Sequence, residues 1–227
     1  DIDRDLNPVL VGNTSYSHIS QQERVQVSVY NKSNGIAAFF LAYEKESTML
    51  AAQAITQYYS VVDRMAMVWT GEWNDEDKGW IEGDTRLKKL ALPTQEEFEE
   101  RYTSGPSYEF AMLVILHDIE VLHHKLTDDE GLAGCRNRAI DHFRETNDGR
   151  LGWCFFFDPD EIPTTGMAIA SMRGMAEVND VWGFMYKFVN PAQGNDKHSQ
   201  SESIRFFRLD KYGIMRMNGR VHETFDK

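Results

Sequence analysis

The chain is short of positive charge, of cysteine and of long apolar runs, and each shortage excludes something. Its 24 lysines and arginines face 36 aspartates and glutamates, a formal net charge of −12. That balance disfavours a broad electrostatic surface for DNA or RNA and leaves room only for a local basic groove. It also gives a chain that binds phosphate good reason to recruit a metal ion. The two cysteines, Cys135 and Cys154, fall in a predicted helix and a predicted buried strand. Free buried thiols fit a reducing compartment, so the expected location is cytoplasmic. No apolar run reaches the ~18 residues of a membrane span, and no signal peptide is visible. The chain opens on Asp1 rather than Met, so it reads as a processed product or as a piece of a longer protein.

What is present is enough for a full core: 227 residues, 41% of them hydrophobic and 12% aromatic, which suits a globular protein rather than a disordered one. There are no internal repeats and no low-complexity tract. Residues 1–35 are polar and punctuated by turn signals, with one short alternating strand predicted over Arg24–Tyr30, and they read as an N-terminal extension. Residues 36–227 read as a single domain.

That domain is organised around Gly152–Ile162. Trp153–Phe157 is an unbroken aromatic-rich run, as expected of a strand buried on both faces. It stops at Asp158-Pro159-Asp160-Glu161. Acids directly behind a buried strand are costly unless something positive meets them. Asp158 and Asp160 are two apart, so in extended geometry they leave the backbone on one side and make a seat for Mg²⁺ or Mn²⁺. The plainer alternative is a solvated Asp-Pro turn.

The remaining elements follow from periodicity. Ile36–Ala42 is a second doubly buried run, Thr48–Val62 a helix with Ser47 as its N-cap, and Arg64–Trp69 a strand. Together they form a βαβ unit with a parallel pair. In open α/β sheets ligands sit outside the carboxyl ends of the strands, which is where the polar tails Tyr43–Ser47 and Thr70–Asp75 fall. Thr94–Tyr102 carries a capping-box pattern, Thr94 with Glu97. Tyr108–Leu116 fits helix or strand, and Ile119–His123 reads as a third strand. Thr127–Glu145 reads as a helix with Asp128, Asp129 and Glu130 in its first turn. A helix over Gly166–Glu177, capped by Thr164 or Thr165, and an alternating strand over Val181–Val189 come next. Asn190–Ser203 reads as a loop, and Ser203–Leu209 with Ile214–Asn218 as a hairpin across Asp210–Gly213. His123-His124 reads as a strand end rather than a second metal site.

In this order the motifs form a pattern. Val68-Trp69-Thr70-Gly71-Glu72 ends a strand, and Cys135-Arg136-Asn137-Arg138-Ala139 lies in a helix. Trp153 leads into Asp158-Pro159-Asp160-Glu161. Then come Ile204-Arg205-Phe206-Phe207-Arg208 and Gly219-Arg220-Val221-His222-Glu223. The set, over about residues 36–225, resembles the GT-A fold of family 2 glycosyltransferases. It is closest to a branch with Val-Asp-Thr-Gly-Ser, Ala-Arg-Asn-x-Ala, Asp-x-Asp-Glu and a late His-Glu. The chain departs from that branch at Trp69, where the branch carries Asp, and in a longer, more charged region over 76–118.

The resemblance implies an α/β, Rossmann-like GT-A fold: a mixed, mostly parallel sheet flanked by helices, with a small antiparallel C-terminal hairpin. It implies a metal-dependent transfer, with inversion, of a sugar from a nucleotide-diphosphate sugar to an acceptor hydroxyl. A UDP-sugar is the first donor to test, and a glycan or protein is favoured over nucleic acid as acceptor. The metal, Mn²⁺ or Mg²⁺, would be held by Asp160, Asp158 and His222, with imidazole favouring Mn²⁺. Asp158 has holding the ribose as its alternative role. Arg136 and Arg138 are two apart on a helix and cannot share a face. Arg136 is the one that aligns with the family's arginine, and it is expected to point to the diphosphate or toward Asp158. Tyr43 and Glu44 would stack on and hydrogen-bond the base, with Thr70 and Gly71 beside it. Deprotonating the acceptor needs a carboxylate, for which Glu161 and Asp180 are candidates and Glu223 a lesser one. Asp-x-Asp after a buried strand also serves nucleotidyltransferases and metal-dependent phosphohydrolases. Trp69 keeps a third reading open, a nucleotide-sugar-binding module without turnover.

Overall fold

The computed structural model describes residues 34–71, 93–101, 105–161, 166–178, 181–190, 199–209, 216–218 and 224–225. The strand expected over Arg24–Tyr30, the caps Thr164 and Thr165, the turn at 210–213, and the candidates Asp180, His222 and Glu223 lie outside these residues.

Two doubly buried strands, β1 (Gly35–Ala42) and β4 (Leu151–Phe156), lie side by side in a six-stranded sheet. β1 pairs in parallel with β2 (Arg64–Trp69), and β2 with β3 (Glu120–His123). On its other flank β1 pairs in parallel with β4. Beyond β4 come β6 (Ser199–Arg208), antiparallel to it, and β5 (Gly183–Asn190), antiparallel to β6. The order is β3-β2-β1-β4-β6-β5, an α/β mixed sheet that is mostly parallel. β7 (Met217–Asn218) and β8 (Thr224–Phe225) form a separate antiparallel pair.

The continuous apolar runs are explained by helices on both faces. Ile36, Ala38, Phe40 and Ala42 of β1 meet Ala51 and Ile55 of α1 (Lys45–Tyr58), Phe98 of α2 (Gln95–Arg101), Phe110 and Val114 of α3 (Tyr108–His117), and Met172 of α5 (Gly166–Ala176). The alternate residues Ala37, Phe39 and Leu41 meet Ala133, Ala139, Ile140 and Phe143 of α4 (Gly131–Glu145). Among the described helices α4 alone covers that face, and chain order accounts for its position. β1 to β2 steps outward in the sheet, whereas β3 to β4 steps back across β1. A right-handed crossover in the reverse direction lays its helix on the opposite face. The reversal also makes the crevice between the carboxyl ends of β1 and β4 the topological switch point of the sheet.

Several expectations hold. β1, α1 and β2 form the βαβ unit, and β3 joins β2 in parallel. The Thr94–Glu97 capping box forms, with the Thr94 amide donating to Glu97 Oε2 (2.8 Å) and the Glu97 amide donating to Thr94 Oγ1 (3.2 Å). The ambiguous Tyr108–Leu116 stretch is helical. The hydroxyl of Ser107 caps it by accepting from the Phe110 amide, and Asp118, in the left-handed region at φ 52°, ends it.

Four expectations are corrected. α1 begins at Lys45 with Glu44 as its N-cap, and Ser47 serves the helix start from inside by accepting the Glu44 amide (3.2 Å). α4 begins at Gly131, so Asp128, Asp129 and Glu130 precede its first turn. The supposed loop ends early, because Ser199–Ser203 is already strand, paired from Asn190↔Ser199 onward. Among the described residues the Ser203–Leu209 segment pairs with β4 and β5, and Met217–Asn218 pairs with β8 instead, so the expected hairpin between them is not formed there. β4 offers an open edge on its outer side, and the ten-residue β6 fills it while β5 closes β6 from outside.

Among the described residues no helix is long and apolar enough to cross a membrane.

Candidate functional site

The acidic turn lies at the carboxyl end of β4, beside the switch point, and it is locked onto itself. The Glu161 amide donates to the Asp158 carbonyl (2.9 Å), and the Asp158 amide donates to Glu161 Oε2 (2.9 Å). Two guanidiniums from different elements meet the acids. Arg136 Nη2 donates to Asp158 Oδ1 at 2.7 Å. Arg205 Nη2, from β6, donates to Asp158 Oδ2 at 3.1 Å and to Glu161 Oε1 at 2.5 Å. Both arginine side chains are nearly buried, 8% and 10% exposed. Cations so placed would be costly without these carboxylates, and the carboxylates without the cations. Both guanidiniums also lie over the Phe156 ring, 4.7 Å and 4.4 Å from its centroid, where the face of the π-system is electron-rich.

Local sequence explains the arrangement. Ala133, Arg136, Ile140 and Phe143 recur at helical spacing, so Arg136 sits on the apolar stripe of α4 and is carried against the sheet. Arg138 is turned away, 41% exposed, and 4.0 Å from Glu145. The next residue of the motif, Asn137, does a different job. Its carboxamide donates to the Met217 carbonyl (2.9 Å) and accepts the Met217 amide (2.8 Å), which gives β7 a partner as a strand would.

The four residues of the turn therefore divide. Asp158 and Glu161 are turned inward and engaged. Asp160 is exposed and, among the described residues, forms no ion pair. Burial pushes the Glu161 carboxyl up to about 7; Arg205 opposes the shift, and the charges of Asp158 and Asp160 reinforce it. The Tyr58 phenol feels the Glu161 charge, and the Tyr186 phenol in turn acts on that of Tyr58. Tyr58, from the last turn of α1, packs on Phe155 and Phe157 at 4.9 Å each, and Tyr186 packs on Phe155 at 5.6 Å. Burial, then the Glu161 charge, pushes the Tyr58 phenol up. Burial pushes that of Tyr186 up to about 12, and its hydroxyl has no hydrogen-bond partner among the described residues.

The tips of β1 and β2 complete the rim. Tyr43 and Glu44 are exposed. The Tyr43 phenol is raised first by a hydrogen bond to Glu44 and the Glu44 charge, then by slight burial and the charges of Glu46 and Asp160, so the tip of β1 senses the turn after β4. Thr70 donates its amide (2.8 Å) and its hydroxyl (3.4 Å) to the Ala42 carbonyl. Gly71 lies against Tyr43 so closely that a Cβ would overlap the Tyr43 carbonyl oxygen. Thr70 and Gly71 thus hold the strand tips together. Trp69, 2% exposed, faces the layer of α1 and α3.

The predicted site residues Tyr43, Glu44, Thr70, Gly71, Arg136, Asp158, Asp160 and Glu161 therefore share one edge of the sheet. As metal ligands the two aspartates differ. Asp160 fits, being exposed with a free carboxylate, whereas both oxygens of Asp158 are already taken by guanidiniums. Among the described residues no three His, Cys, Asp or Glu side chains gather at one point. His123 ends β3, and His124 pairs with Glu130 at 2.9 Å.

Arg205 enters the sequence reading only as part of a motif and Phe156 only as part of a strand; neither they nor Tyr58 and Tyr186 are given a site role there. Arg205 had a signal, since a cation inside the aromatic strand Ile204–Phe207 requires a buried anion.

A hollow of about 950 Å³ opens at the opposite edge, at the amino ends of the strands, lined by Asn34, Asp63, Arg64, Arg150 and Arg173 among others. It is a seam between ion pairs, Asp63 with Arg173 (2.8 Å) and Arg64 with Glu120 (2.7 Å). The carboxyl ends of α1 and α4 lie toward this edge, and their dipoles disfavour an anion there.

No protein-family model matches the chain, and no curated protein matches it.

Proposed function

We propose that the chain is a GT-A-type glycosyltransferase domain that moves a sugar from a nucleotide-diphosphate sugar, a UDP-sugar first, to an acceptor hydroxyl with inversion. The observation that carries this reading is the acidic turn at the switch point of the sheet, with Asp160 presented to solvent and two buried guanidiniums behind it. Asp160, with His222, would hold Mn²⁺ or Mg²⁺. Such an ion supplies Lewis-acid stabilisation of the charge that develops on a diphosphate leaving group. Arg136 and Arg205 neutralise Asp158 and keep the turn rigid. Tyr43 and Glu44, exposed at the neighbouring strand tip, are available to a base. Glu161, with its carboxyl near 7, has the basicity of a general base. To take the acceptor proton it would have to release Arg205 or the Asp158 amide, and Asp180 is the alternative base.

A second reading has its own support. Trp69 is packed into the core where an acid would face the crevice, which favours a module that binds a nucleotide sugar without turnover. Release of sugar from the donor separates the two.

The test is calorimetric titration of UDP, GDP, dTDP and CDP, with and without Mn²⁺, into the wild type and Asp160→Ala. Metal-dependent binding of one nucleotide, abolished in Asp160→Ala, is the expected result. No binding of any nucleotide under either condition sinks the donor-site reading.

A further inference from the structure

The guanidinium of Arg205 touches both inward-turned acids of the turn, since a single nitrogen, Nη2, donates to Asp158 Oδ2 and Glu161 Oε1. Arg136 meets Asp158, at Oδ1. Without Arg205, Arg136 would still offset Asp158, but the side-chain link between the two acids would be lost, and like charges at the end of a buried strand repel. Arg205 also arrives from the antiparallel strand β6, on the far side of β4 from β1, so it braces the turn against a separate element. The Phe156 ring lies beneath its guanidinium, 4.4 Å to the centroid.

From this geometry we propose that Arg205 is a positioning residue of the site: it clamps Asp158 to Glu161 and thereby aims Asp160 outward over the switch point. The role rests on the reading of Asp160 as the ligand of a divalent cation, but the clamp itself does not. A lysine keeps the charge, yet it lacks the planar fork that Phe156 holds in place while the head bridges two acids, so it should restore the function only in part.

Arg205→Met and Arg205→Lys test this with two readouts on the full chain. The first is amide hydrogen exchange at Asp158 and Glu161, whose N–H groups close the turn, with the β4 amides as internal reference. The second is Mn²⁺ affinity by electron paramagnetic resonance in the presence of UDP. Expected are faster exchange at the two turn amides with β4 unchanged, and Mn²⁺ affinity about tenfold weaker in Arg205→Met, with Arg205→Lys between. Arg173→Met, which breaks the ion pair with Asp63 at the opposite edge, should leave both readouts at wild-type values. If Arg205→Met does not fold, Arg205→Lys carries the same comparison. Unchanged turn exchange overturns the clamp. Accelerated exchange with unchanged Mn²⁺ affinity overturns the aiming of Asp160. A wild type that binds no Mn²⁺ sinks the glycosyltransferase reading instead and leaves the exchange result to decide the clamp.

Discussion

The inward acids and the outward acid of the turn should respond differently to substitution. Asp158→Ala removes a partner of Arg136 and one partner of Arg205, two nearly buried guanidiniums. We expect a loss on the order of 2 kcal/mol of stability, read from urea unfolding. Asp160→Ala, at an exposed position, should leave the unfolding midpoint within error while removing metal-dependent binding. Glu161 gives a pH signature in the metal-free protein. Its carboxyl is raised in the folded state to about 7 from an ordinary 4.5, because burial outweighs Arg205. Between those values the folded chain holds a proton that the unfolded chain has released. Stability is therefore greater below the window, falls as pH rises through it and is flat above it. Glu161→Gln should remove that slope, which unfolding curves at about pH 5 and about pH 8 will show.

At the scale of elements, α4 does two jobs from adjacent residues, Arg136 to the turn and Asn137 to β7. Asn137→Ala leaves the Met217 amide and carbonyl without their partners and should cost about 1–2 kcal/mol, with faster exchange at the Met217 amide and little change in β4. Much of this level was legible in the sequence. β1 and β4 announced themselves as apolar runs because both faces are covered, and Arg136 was separated from Arg138 by helical phase alone. β6 was misjudged because its first half, Ser199–Ser203, is polar and continues a Gly/Asn/Ser-rich stretch. Its pairing depends on an open edge of β4 that no local pattern encodes. The role of Arg205 stayed hidden for the same reason: its partners are 44 and 47 positions away in sequence. The start of α4 was misplaced because three acids before a helix look the same whether they cap it or sit in its first turn.

Across the whole molecule the two edges of the sheet have separate duties. The amino edge is tied by structural ion pairs. Arg64 Nε and Nη2 donate to Glu120 (2.8 and 2.7 Å), His142 meets the same carboxylate at 2.5 Å, and Asp63 joins Arg173 to the Ile36 amide (2.7 Å). Burial alone would raise the Glu120 carboxyl, but hydrogen bonds from Arg64 and His142 outweigh it and lower the value. That stabilisation is present above the ordinary carboxylate range and is lost as pH falls through the lowered value. Arg64→Met should thus lower the melting temperature and flatten the acid limb of the stability profile. It should leave nucleotide affinity unchanged, the reverse of Asp160→Ala.

Both thiols lie in the apolar layer between α4 and the sheet, Cys135 on the helix and Cys154 on β4 beneath it, each fully buried. Burial raises both, Cys135 to about 11, so neither is a thiolate at neutral pH. An alkylating reagent can reach Cys154 only when α4 lifts from the strand. The chain therefore carries its own stopwatch: the rate at which Cys154 is alkylated counts how often that layer parts, without any label having to be introduced.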